Sequence, residues 1–219
     1  MRHAPVEEAF AERVYGQLDV PLSALGRERS EELGRALADH HPAAVACSPL
    51  ARARALADVV VAHSPTGSGP ESSGGAAASS GLEVTPDLIE IDRGRWTNRL
   101  GREVEAELGD EVRAFHDDPW NFTGHGGECD ADVAARAWPA LERTVERAGG
   151  GTAVVVSHYN VIRVLLGLAL GMRPADTFRL RLDPGCCALL VDGPSGWDLG
   201  PFNVRAPDPA RERGGEVPA

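Results

Sequence analysis

Two short apolar runs lead straight into helical patterns, and this limits what the chain can fold into more than any other feature. Ala43 to Cys47 runs into Ser48-Pro49, with Ser48 as a cap and Pro49 opening a helix. Thr152 to Ser157, carrying three consecutive valines, runs into His158 and the apolar helix Asn160 to Leu170, which Gly171 and Pro174 close. Strands alternating with helices predict an α/β fold with a largely parallel sheet. Ligands on such sheets bind at the carboxyl ends of the strands. Ser48 and His158 fall at two of those ends. His3 would join them if a strand preceded Arg2.

The remaining chain fills in the same pattern. Ser23 is a plausible N-cap for a helix over residues 24–40, with Leu25, Leu33, Ala36 and Leu37 on one face. Residues 64–86 are low in complexity and read as a flexible surface insertion. A segment around Leu88 to Asp92 follows, then a charged helix near Leu100 to Phe115 and a loop from Asp117 to Glu128. Residues 130–148 read as a helix that Pro139 bends or splits. Cys186 to Asp192 and Trp197 to Phe202 pair as a hairpin around Gly193-Pro194. Residues 206–219 read as a disordered tail, which leaves a single domain over 1–205.

The 219 residues carry a net charge of -11, which argues against nucleic acid as a partner. An anionic substrate must therefore be drawn in by a local basic pocket, against the overall field. No apolar run reaches the roughly 18 residues of a membrane span, so no membrane partner is expected. Cys47, Cys129, Cys186 and Cys187 lack metal-ligand spacing, and Cys186-Cys187 reads as core packing. No metal or cofactor is expected, and a reducing, cytoplasmic location is the default.

Arg52 lies one turn into the helix after Ser48-Pro49, where unpaired amides and a guanidinium fork suit a phosphate. His158 lies at a second helix start, and Arg2 sets another fork beside His3. Imidazoles surrounded by arginines stay neutral, and a neutral imidazole can attack phosphorus while the arginines stabilise the transferring oxygens. Each piece alone has a bland reading, as a frayed terminus, a structural histidine or a solvated arginine. Their order and context together carry the phosphate reading.

In order along the chain stand Arg2-His3-Ala4, Asp19-Val20-Pro21-Leu22-Ser23-Ala24-Leu25-Gly26, and Ser48-Pro49-Leu50-Ala51-Arg52-Ala53. Leu88-Ile89-Glu90 with Gly94 and Trp96 follows, then Gly126-Gly127-Glu128, and Val156-Ser157-His158 with Ile162-Arg163. This series resembles the histidine phosphatase superfamily, also called phosphoglycerate mutase-like. The resemblance implies a three-layer α/β/α sandwich around the parallel sheet. It implies His3 as the nucleophile, with Arg2, Arg52 and His158 binding the phosphoryl group. Glu90 would be the proton donor and then the base, with Asp92 as the alternative carboxylate. Catalytic His3, Glu90 and His158 would need no metal.

Several positions depart from the family pattern. Ala4 and Tyr159 stand where the family has glycine after each histidine, and Pro5-Val6 replaces Glu-Ser/Thr. These changes weaken a phosphoglycerate mutase assignment. Tyr15 to Leu22 and Asp118-Pro119-Trp120 lean toward the α-ribazole phosphatase branch. Tyr15, Gln17, Trp120 and Glu128 are the candidates for the substrate wall, with a bland loop role as the alternative for each. The inner strand that precedes the Arg-His pair in the family is truncated to Met1. That predicts a natural start further upstream, or else a gap at the sheet edge and weak activity. The leading function is a phosphomonoesterase acting on a small phosphorylated metabolite. A mutase and a catalytically impaired binding protein on the same fold are the alternatives, and a homodimer stays open.

Overall fold

A computed structural model describes residues 1–64, 81–193 and 196–205. Most of the insertion predicted at 64–86, the turn after Gly193 and the 206–219 tail lie outside the described residues. In chain order the elements begin with α1 (Glu8–Ala11), α2 (Ala24–Ala38), β1 (Ala44–Cys47), α3 (Ala51–His63) and β2 (Leu82–Val84). They continue with α4 (Gly101–Asp117), α5 (Asp130–Ala148), β3 (Ala153–Val156), α6 (Tyr159–Ala169), β4 (Cys187–Gly193) and β5 (Gly196–Val204).

The central sheet is parallel, in the order β2-β1-β3. All four residues of β1 are buried, as a strand covered on both faces requires. Successive side chains point to opposite faces. Val45, Cys47, Val154 and Val156 pack with Leu33 and Leu37 of α2 and Leu56 and Val60 of α3. Ala46 and Val155 face the other way, onto Val133 and Ala137 of α5 and Val161 and Leu165 of α6. These two helical layers make the α/β/α sandwich. The hairpin forms as predicted, with β4 and β5 antiparallel and Cys186 and Cys187 both buried.

Residues 1–3 complete the edge beside β3. Met1 N donates to Val155 O at 2.9 Å, Ser157 N to Met1 O at 2.9 Å, and His3 N to Ser157 O at 3.1 Å. Across the segment, Arg2 N donates to Cys186 O at 3.0 Å. Arg2 forms one parallel bridge, to Ser157, and no gap opens beside β3 there. Neighbours on both sides take up the backbone groups that a short edge segment would otherwise leave unpaired.

Four local expectations need correction. Leu25 is 49% exposed, because the buried face of α2 runs through Gly26, Ser30, Leu33 and Leu37. Ser23 does cap that helix, accepting from Gly26 N at 2.9 Å. Ser48 and Pro49 lie outside α3, and its first amide, Ala51 N, is capped at 2.9 Å by Asp19 Oδ1 from a distant loop. Residues 82–84, placed in the insertion by composition, form β2 against β1. Finally, α5 runs through Pro139 without a break in its helical backbone, whereas α4 is kinked at Leu108.

Candidate active site

The fold brings His3, Ser48 and His158 to one end of the sheet, each just beyond the strand or bridge that carries it. The His3 and His158 rings lie 5.1 Å apart between centroids, and both are buried. His3 Nδ1 is 2.8 Å from Ala4 O. A carbonyl only accepts, so Nδ1 holds the proton and Nε2 keeps its lone pair. Burial, then Arg52 and after it Arg2, push the His3 pKa down to about 3 against the Ala4 hydrogen bond. His158 is lowered well below the ordinary imidazole range, first by burial and then by His3, Arg52 and Arg2. Its Nε2 lies 2.7 Å from Ser48 Oγ.

The arginines are pinned, but not fully used. Arg52 Nη1 donates to Leu18 O at 2.6 Å and Nη2 to Gly16 O at 2.8 Å. Arg2 Nη1 donates to Leu182 O at 2.6 Å, and its guanidinium lies 5.4 Å from the Tyr159 ring centre. Tyr159, the bulky departure from the family glycine, thus supports Arg2. Left over are Nε of Arg2, Nε of Arg52 and Nδ1 of His158, all buried without a hydrogen-bond partner. Leaving a buried donor unmade costs about 1–3 kcal/mol, more for a charged group.

Glu90 is buried beside this cluster. Its Oε1 accepts from Ile91 N at 2.8 Å, and its Oε2 faces Asn160 Nδ2 at 3.4 Å. Asn160 Oδ1 in turn accepts from Arg93 Nη2 at 2.8 Å. Arg136 of α5 holds the segment before Glu90, donating from Nη1 to Asp87 O at 2.7 Å and Ile89 O at 2.8 Å. Asp92 Oδ1 accepts from Gly94 N at 2.8 Å and closes the next turn.

The four residues predicted for the substrate wall separate. Tyr15 stands against the cluster, its ring centroid 6.4 Å from that of His3 and 5.1 Å from the Arg52 guanidinium. Glu128 makes a two-point pair with Arg136 at 2.8 and 2.9 Å and accepts from Asp92 N at 2.9 Å. Gln17 Nε2 meets the same carboxylate at 3.5 Å. Trp120 lines a cavity of about 260 Å³ with Asp130, Val164, Gly167, Leu168, Met172, Pro174 and Thr177, a set that includes none of Arg2, His3, Arg52 and His158. Among the described residues no group of three or more His, Cys, Asp and Glu side chains could hold a metal ion.

The sequence reading missed Arg93, Asn160, Arg136 and the capping role of Asp19. Asn160 left a signal, a polar residue in the first turn of an apolar helix directly after the second histidine. Arg93 and Arg136 left none, since an arginine in a turn or on an amphipathic helix is ordinarily solvated.

The model of the histidine phosphatase superfamily (branch 1) matches residues 1–205. The chain belongs to that superfamily. It is 31% identical over 185 residues to a glucosyl-3-phosphoglycerate phosphatase of Mycolicibacterium vanbaalenii, covering 81% of this chain and 75% of that one. It is 30% identical over 174 residues to phosphoserine phosphatase 1 of Hydrogenobacter thermophilus, covering 78% and 75%. An adenosylcobalamin/α-ribazole phosphatase of Escherichia coli is also among its relatives. A solved structure of a mycobacterial glucosyl-3-phosphoglycerate phosphatase complexed with VO3 superposes with a TM-score of 0.76 at 25% identity, covering 93% of this chain and 96% of the other. Among the described residues no helix is long and apolar enough to cross a membrane.

Proposed function

We propose that the protein hydrolyses a small phosphorylated metabolite through a phosphohistidine on His3. His3 Nε2 attacks phosphorus in line with the ester bond. The P–O bond breaks, its electron pair stays on the leaving oxygen, and Glu90 supplies that oxygen with a proton. Arg2, Arg52 and His158 stabilise the charge on the transferring oxygens. Water, giving its proton to the Glu90 carboxylate, then attacks phosphorus. The P–N bond breaks, phosphate leaves and His3 regains its lone pair. Ser48 orients His158, Tyr15 walls the cluster, and Gln17 and Glu128 brace the acid's loop. Trp120 keeps a place in the substrate wall only if a long leaving group reaches its cavity.

The single observation that carries this reading is the set of buried donors without acceptors around a neutral His3. The test is hydrolysis of an aryl phosphate by wild type and His3→Ala. A loss of about a thousandfold or more is expected, on the scale of other nucleophile deletions. Acid quenching should trap an acid-labile, base-stable phosphoprotein in wild type alone. Equal rates in the two proteins would overturn the reading. The relatives' substrates set the first panel: phosphoserine, glucosyl-3-phosphoglycerate and α-ribazole phosphate.

A further inference from the structure

Glu90 is held in place without help from regular secondary structure, since residues 89–93 belong to no helix or strand. Its carboxylate is caught close to home. Oε1 accepts from Ile91 N, the next amide along, at 2.8 Å, and Oε2 is 3.4 Å from Asn160 Nδ2. Where the backbone of this segment goes, the carboxyl group goes with it. Leu88 O accepts from Ser157 Oγ at 2.7 Å, which ties the segment to the end of β3. The carbonyls on either side of Leu88 turn to one guanidinium. Arg136 donates from Nη1 to Asp87 O at 2.7 Å and Ile89 O at 2.8 Å, and from Nη2 to the carbonyl of Glu90 itself at 3.4 Å. The same fork holds the Glu128 carboxylate, Nε to Oε1 at 2.8 Å and Nη2 to Oε2 at 2.9 Å, and that Oε2 accepts from Asp92 N at 2.9 Å. Arg136 thus fixes the chain before Glu90 directly and the chain after it through Glu128.

We infer that Arg136 is a positioning residue for the proton transfer, acting through Glu90 by holding the backbone that aims its carboxyl group at the leaving oxygen. The inference rests on the phosphatase reading, in which the P–O bond breaks, its electron pair goes to the leaving oxygen and Glu90 gives that oxygen its proton. Proton transfer demands hydrogen-bond distance, and a misplacement of about 1 Å costs about a hundredfold in rate. Geometry, not charge alone, makes arginine the residue for this place. A lysine would keep the charge, but a compact ammonium in place of a planar fork cannot span the carbonyls and the carboxylate together.

The test varies how much the leaving group needs a proton. A para-nitrophenolate leaves readily without one, whereas the more basic phenolate leaves faster with one. The readout is kcat/KM for phenyl phosphate divided by kcat/KM for para-nitrophenyl phosphate. Glu90→Gln sets the scale by lowering this ratio. Arg136→Met should lower it by roughly tenfold to a hundredfold. Arg136→Lys, the milder change should the methionine variant not fold, should lower it nearly as far. The ratio is internal to each protein, so a general loss of folded enzyme cancels from it. If Glu90→Gln lowers the ratio and Arg136→Met keeps it, the inference is wrong and the phosphatase reading stands. A wild-type ratio in Arg136→Lys would assign the effect to charge and overturn the positioning role. If Glu90→Gln leaves the ratio unchanged, Glu90 is not the acid and the inference falls with that assignment. If wild type cleaves neither ester, the phosphatase reading itself fails.

Discussion

His3, His125 and His158 share one property at the scale of single residues: each is held neutral by its surroundings. Burial dominates in all three, with Arg52 and Arg2 adding to it at His3 and Arg93 at His125. His3 falls to about 3 and His125 to about 4, while an unfolded imidazole titrates near 6.5. Between those values the unfolded chain binds more protons than the folded one, so stability rises with pH there. It is fully present above the unfolded value and is lost as pH falls toward the folded values. Urea unfolding at about pH 7 and about pH 5 should show this as a steep fall in stability, with the histidines contributing an uptake of about three protons on unfolding. A flat profile across that range would rule out the buried neutral state. The same shift keeps the His3 imidazole neutral in mildly acid solution.

Between elements, the loop before α2 controls the helix that carries Arg52. Asp19 caps Ala51 N, and the carbonyls of Gly16 and Leu18 hold the Arg52 guanidinium. Replacing Asp19 by alanine should cost about 1 kcal/mol in stability, as loss of an N-cap does. Thermal unfolding measures that cost, and activity should fall further than the stability change explains, because Arg52 loses its frame. Unchanged KM and kcat in Asp19→Ala would show the cap to be structural only. Gly94 plays a comparable part in the loop that follows Glu90. It has φ +48, and a Cβ there would lie 2.2 Å from His125 O, so only glycine allows the two loops to meet.

Across the whole molecule, the central sheet is covered on both faces, and the helices on one face are tied by a buried ion pair. Asp130 begins α5 and Arg163 lies in α6, with side chains 2% and 0% exposed. Breaking such a pair from one side strands a buried charge. Asp130→Ala should therefore lower the unfolding free energy by about 3–5 kcal/mol. Denaturant titration reads that directly, and a loss under about 1 kcal/mol would mean that water or another group takes over.

The sequence by itself determined which segments become elements and where the chemistry would sit on them. Periodicity placed α5 at 130–148, and the strand-to-helix junctions placed Ser48 and His158 at the sheet's carboxyl end. Those signals are local, because hydrophobic period and turn residues act within a few positions. Only the tertiary structure decided what depends on partners far along the chain. Low-complexity composition hid β2, whose strand character comes from pairing with β1. Asp19 caps a helix that starts 32 residues later, and Arg136 holds carbonyls 47 and 49 residues before it. Likewise the position of Met1 to His3 depends on β3 and Cys186, which hold the segment on both sides. Burial makes the difference: an exposed arginine or carboxylate pairs with water, whereas a buried one takes whatever partner the fold brings to it.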